Sequence, residues 1–131
     1  MATTQGTGEF AAYCVELLGA LGAACARRMF GGHGLYIGDR FVAIVAGQRL
    51  YLKTDAATRA AFEAARCEPF AFDAAGGRRQ VLGYWSVPED AMESAAAMRP
   101  WAMRALDAAL RAAARPKPTA RKRPAAATRK P

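Results

Sequence analysis

Met29-Phe30-Gly31-Gly32-His33-Gly34-Leu35-Tyr36 places three glycines within four positions, between apolar and aromatic residues that read as strand. Glycine weakens a strand unless the chain must turn, bulge or approach another segment closely, so the cluster demands a constrained backbone path between two extended segments. Working outward, residues 24–30, 34–37, 40–45 and 49–53 read as short strands joined by Gly31-Gly32-His33, Gly38-Asp39 and Ala46-Gly47-Gln48. Gly38-Asp39 is a two-residue hairpin signal, because glycine accepts the positive φ that such turns need. Within 49–53, Leu50 and Leu52 fall on one side and Arg49, Tyr51 and Lys53 on the other, the pattern of an antiparallel sheet covered on one face.

Helices flank this meander. From Gly8, the apolar residues Phe10, Tyr13, Cys14, Leu17, Leu18 and Leu21 recur at spacings of three and four, which predicts a helix over 8–21 that stops at Gly22 and covers the sheet. Residues 1–7 are polar and small, and are expected to be mobile. Thr54 or Asp55 is placed to cap a second helix reaching Arg66, with Ala61, Phe62 and Ala65 inward. A second hairpin follows over 69–73 and 79–87, with Trp85 and Val87 on one side and Tyr84 and Ser86 on the other. The last helix is expected over 94–114, bent at Pro100, with Met98, Trp101, Ala102, Ala105, Ala109, Leu110 and Ala113 inward. This order, one helix, three to four strands, a helix, two strands and a helix, predicts an α+β two-layer sandwich with an antiparallel sheet of five to six strands and three helices.

At 131 residues the chain suits one domain with a real core. Its net charge of +8 is segregated. Residues 1–114 carry twelve cations against all eleven acids, whereas the last seventeen residues carry seven cations and no acid. The expected organisation is therefore a mobile segment 1–7, a folded domain 8–114 and a disordered basic tail 115–131 rich in Pro and Ala. Cys14, Cys25 and Cys67 are odd in number and lack CxxC spacing, so neither a disulfide framework nor a zinc site is indicated; reduced and mostly buried thiols favour the cytoplasm. The apolar stretch 17–26 fails as a secretory signal because no Lys or Arg precedes Arg27 while Glu9 and Glu16 do, and no stretch is long enough to span a membrane.

The glycine-rich run, together with Leu50-Tyr51-Leu52-Lys53, the segment 58–62, Tyr84-Trp85-Ser86-Val87-Pro88 and Pro100-Trp101-Ala102, resembles the TfoX (Sxy) N-terminal domain family over residues 8–114. The residues that carry the motif are Met29, Phe30, Gly31, Gly32, Gly34, Tyr36, Trp85, Pro88 and Trp101. The resemblance implies a secretion-chaperone-like architecture, in which helices pack on a curved antiparallel sheet. It also implies a regulator of natural competence acting with the cyclic-AMP receptor protein, and brings no catalytic residues. Regulators of the family carry a second, C-terminal domain, where this sequence has its basic tail.

Tests for chemistry return little. His33 is the single histidine, placed by the sequence in a solvated turn, and no HExxH, GxSxG, Walker A or paired Cys/His pattern occurs. Gly31-Gly32-His33-Gly34 is followed by strand-like residues and not by a helix whose N-terminus could face a phosphate, so backbone geometry accounts for it better. Asp39, Asp55, Glu89, Asp90 and Glu93 each fall at a turn, a cap or a helix start, where an acid has a structural reason to be. No enzyme activity, cofactor or metal is expected.

Two surfaces carry the functional expectation. If Tyr36, Tyr51 and Tyr84 share the less covered face of the sheet, they form a stacking or partner-binding surface flanked by Arg49, Lys53 and Arg79, features that single-strand nucleic-acid binders combine; the competing expectation is rings buried as core or rim. In the tail, Arg115, Lys117, Arg121, Lys122, Arg123, Arg129 and Lys130 suit sequence-independent contact with DNA phosphates. The reading is a non-enzymatic, cytoplasmic regulatory or protein-interaction module, its partner a protein of the transcription machinery or a regulator, with weak DNA affinity in the tail. The alternatives are a nucleoid-type DNA-binding protein, whose folded domain forms a homodimer or positions the tail, and a small-ligand protein or enzyme.

Overall fold

The computed structural model describes residues 2–29, 31–74 and 76–114. Phe30 and the tail, with its seven cations, lie outside the described residues. The elements run α1 (Ala2–Leu18), β1 (Ala24–Met29), β2 (Gly32–Ile37), β3 (Arg40–Ala46), β4 (Arg49–Lys53), α2 (Arg59–Ala64), β5 (Pro69–Ala74), β6 (Gly77–Ser86) and α3 (Ala95–Ala114). All strand pairs are antiparallel, in one six-stranded sheet of order β1-β2-β3-β4-β6-β5. The fold is the expected α+β arrangement, with β1 and β5 at the two open edges.

The glycine-rich run departs from expectation in a way that explains its glycines. Gly31 stands in a turn at φ +75° and Gly32 already pairs with Met29, so Gly32 and His33 belong to β2 and not to a loop. A Cβ on Gly32 would lie 2.2 Å from the Val45 carbonyl oxygen, and one on Gly34 would lie 2.5 Å from the Phe41 ring and 2.6 Å from the Met29 methyl. Any side chain at either position would prise β2 from β3 or displace the packing on its outer surface. His33 pairs with Arg28 and Val45 and is half-buried, its Nδ1 without a hydrogen-bond partner, which corrects its expected place in a solvated turn.

The hairpin at Gly38-Asp39 forms as its sequence dictates, with Ile37 paired to Arg40 and Gly38 at φ +63°. The next turn is shorter than expected, Gly47-Gln48 alone, because Ala46 pairs with Arg49. Second-helix residues 55–58 instead form a turn in which Asp55 Oδ1 accepts the amides of Ala57 and Thr58, so α2 begins at Arg59. That local capping satisfies the amides without another helical turn.

α1 begins at Ala2, six residues before the expected start, and gives way at Gly19–Leu21 to a tighter turn closed by Gly22. Its Cys14, Leu17 and Leu18 pack with Leu35, Val42, Leu50 and Leu52 of the sheet and Met98, Ala102 and Ala105 of α3 in one core. Tyr13 corrects the predicted inner face: the ring is exposed, and its hydroxyl donates to the Met92 carbonyl, tying α1 to the Glu89–Glu93 turn before α3. α3 runs uninterrupted through Pro100, but Leu110 and Ala113 are exposed and Ala108 takes a buried place. Leu110 lies about 120° round the helix from Met98, off the core stripe, and Ala113 is past its end.

Candidate functional site

Side chains alternate in direction along the central strands, and the alternation divides the sheet into two unlike faces. Leu35, Ile37, Val45, Leu50, Leu52 and Trp85 point to α1 and α3. Pairing then forces their neighbours outward: Ile44 lies opposite Tyr51, Tyr51 opposite Ser86, and Lys53 opposite Tyr84. On β2 and β3 a register shift after Leu35 brings Tyr36 opposite Phe41 on that same outer side.

Three rings form a row there. Tyr36 and Phe41 have centroids 5.2 Å apart, and Phe41 and Tyr84 5.8 Å apart. Each end is capped by a cation, Arg27 at 5.1 Å from the Tyr36 centroid and Lys53 at 5.4 Å from that of Tyr84. Beside the row, Tyr51 meets Phe70 edge-on at 4.9 Å and is overlain by Arg49 at 5.6 Å, which also pairs with Glu68 at 3.0 Å. Burial and the neighbouring Tyr36 push the Tyr84 hydroxyl up to about 12, so it remains a neutral donor at neutral pH.

The face therefore brings together Tyr36, Tyr51, Tyr84, Arg49 and Lys53, and Arg79 lies on β6 opposite Phe72. Tyr51 is only 9% exposed, whereas Tyr36, Phe41 and Tyr84 are half-buried. The surface thus presents ring edges and guanidinium and ammonium groups, and not a set of bare ring faces. Tyr36, Tyr51 and Tyr84 share the face away from the helices, with Tyr51 buried as the competing expectation has it, and the tryptophans are core: Trp85 is 8% exposed under the helices and Trp101 packs edge-on against Phe62 at 5.0 Å.

Phe41, Phe70 and Arg27 were not anticipated. Phe41 was legible in principle, since a two-residue Gly38-Asp39 hairpin brings Tyr36 and Phe41 near one another; the bulge that makes them partners was not. The remaining motif residues serve the frame: Met29 packs over Gly34, and Pro88 precedes the Glu89–Glu93 turn in extended conformation.

Elsewhere, Asp55 has a structural partner. Arg111 Nε donates to Asp55 Oδ2 at 2.7 Å and its NH2 to Oδ1 at 3.1 Å, and this hydrogen-bonded guanidinium lowers the Asp55 carboxyl to about 2. Among the described residues, no group of three or more His, Cys, Asp or Glu is arranged to hold a metal ion, and no helix is long and apolar enough to cross a membrane. The cysteines are free; Cys14 is buried, and burial pushes its thiol up to about 12, whereas Cys25 is exposed, contrary to expectation, because β1 is an edge strand.

Among protein-family models, that of the TfoX N-terminal domain matches residues 16–109. No curated protein matches the chain.

Proposed function

The chain belongs to the TfoX N-terminal domain family, and from that premise we propose that it is a non-enzymatic regulatory module that works by docking a partner protein on the outer face of its sheet. The observation that carries this reading is the face itself: a six-stranded sheet that packs α1 and α3 on one side, whose other side, among the described residues, gathers Tyr36, Phe41 and Tyr84 in contact and caps the row with Arg27 and Lys53. Aromatic and arginine side chains are enriched where proteins meet, because each combines large area with a polar group that orients the contact. The half-buried rings and the cations over them favour a protein surface over stacked bases, which need open ring faces.

The family's association with competence genes makes a transcription regulator or the transcription machinery the natural partner class. The tail adds weak, sequence-independent affinity for DNA through its seven cations. A cytoplasmic site of action fits three unpaired cysteines, one of them exposed.

Site-specific photo-crosslinking tests the docking reading. A photoreactive residue placed at Tyr84 of the full chain, in the cells that naturally make it, is expected to yield discrete protein adducts, whereas the same residue at Arg99 on the exposed side of α3 yields none. Absence of protein adducts from position 84, and from a second probe at Tyr36, contradicts the proposal.

A further inference from the structure

The outer face continues to an edge that is open to pairing. β1 is the first strand of the sheet, and among the described residues only β2 pairs with it. Four of its residues in succession, Cys25, Ala26, Arg27 and Arg28, are exposed. The Gly38 amide donates to the Ala23 carbonyl at 2.7 Å, and these two residues stand opposite one another in the β1–β2 register. In an antiparallel pair, hydrogen-bonded and non-bonded positions alternate, so residues 25, 27 and 29 turn their main-chain groups toward β2 while Ala24, Ala26 and Arg28 turn theirs to the open edge.

An open edge of this kind is a template for any extended chain, and side-chain charge decides which chain it admits. Arg27 and Arg28 are adjacent, so they project to opposite sides of the strand, and among the described residues neither pairs with a carboxylate. A second copy of β1 laid antiparallel beside the first would bring arginines together on both sides, which disfavours self-pairing. An acidic strand would pair with both. Nucleic acid could neutralise the arginines but cannot use the edge amides and carbonyls in register.

We infer that β1 takes an acidic, extended segment of a partner protein as a seventh strand, its carboxylates paired with Arg27 and Arg28 and its flank resting beside Tyr36. This rests on the docking reading above and specifies the partner's chemistry.

The test uses the 15N-labelled full chain and a capped octapeptide of sequence Val-Thr-Val-Glu-Glu-Val-Thr-Val, against the same peptide with Lys-Lys at its centre and against a twelve-nucleotide oligothymidine. The acidic peptide is expected to shift and protect from hydrogen exchange the amides of Ala24, Ala26 and Arg28, and to bind about tenfold or more tightly than the Lys peptide. Ala26→Pro removes an edge-facing donor without touching the β1–β2 ladder and is expected to abolish that protection. The exposed double variant R27E/R28E is expected to reverse the preference to the Lys peptide, a readout that a merely loosened fold would not give. Equal binding of the two peptides, response to oligothymidine alone, or concentration-dependent protection of these amides without peptide, which would mean a second copy, each overturns the inference. Protein adducts from position 84 alongside peptide failure would remove only the acidic-strand inference, whereas absence of adducts would remove the docking reading itself.

Discussion

Arg111 grips the Asp55 carboxylate with two hydrogen bonds, of 2.7 and 3.1 Å, and so ties the last turns of α3 to the loop that leads into α2. The guanidinium favours the charged carboxylate and lowers it to about 2 in the folded chain. A depressed carboxyl contributes stability that is present above the unfolded value of about 3.9 and is lost as pH falls toward the folded value. Asp55→Asn keeps an acceptor for the amides of Ala57 and Thr58 and removes the charge. Its urea midpoint is expected to lie below that of the wild type at pH 6, with the gap closing as the pH is lowered from 4 toward 2; a gap independent of pH would contradict the assignment.

The glycines of β2 and of the hairpin that follows it divide into two kinds, and substitution separates them. Gly32→Ala drives a methyl group against the Val45 carbonyl and is expected to cost about 3 kcal/mol or more, whereas Gly34→Ala meets only the ends of the Phe41 and Met29 side chains, which can shift, and is expected to cost less. Gly38 has open space around it and a φ of +63°, so Gly38→Ala carries only the left-handed backbone penalty, about 1–2 kcal/mol. Denaturant unfolding of the three variants checks the order.

The packing of α3 yields a sharper contrast. Phe62 is fully buried against Trp101, and Phe62→Ala is expected to cost about 3–5 kcal/mol. Leu110 is 43% exposed, and Leu110→Ala is expected to change stability by no more than about 0.5 kcal/mol. Comparable losses at both positions would place the helix in the rotation anticipated from its sequence.

Tyr84 reports on the outer face directly. Its hydroxyl, raised to about 12 by burial and by Tyr36, contributes stability that is complete below the ordinary tyrosine value of about 10 and is lost as pH rises toward 12. Ultraviolet difference titration of the wild type against Tyr84→Phe is expected to show the Tyr84 hydroxyl ionising late, and Tyr36→Phe to bring that titration earlier. A late tyrosine unmoved by Tyr36→Phe would separate the two rings.

Much of this architecture was legible because its signals are local. Alternation in 49–53, the Gly38-Asp39 turn and the three-four spacing in α1 and α3 each specify an element with no knowledge of the rest. The misreadings came where a distant group decides: the Met92 carbonyl holds Tyr13 at the surface, Asp55 captures amides that would have begun α2, and pairing with Met29 makes Gly32 a strand residue, where the Val45 carbonyl admits only glycine. The candidate face was half legible. Parity aligned Tyr51 with Lys53 and Tyr84 with Ser86, but only the strand order β4-β6 and the bulge after Leu35 join Tyr36, Phe41 and Tyr84 into one row.

The proposed function divides labour between protein contact on the folded sheet and DNA contact in the tail. Its most direct test is the affinity for mixed-sequence duplex DNA, from low to physiological salt, of the full chain and of a full-length variant with Arg115, Lys117, Arg121, Lys122, Arg123, Arg129 and Lys130 replaced by Gln. Binding by the wild type with a log–log salt slope approaching about −6, and none by the variant, is expected. Equal binding by both would put a nucleic-acid surface on the folded domain and contradict it.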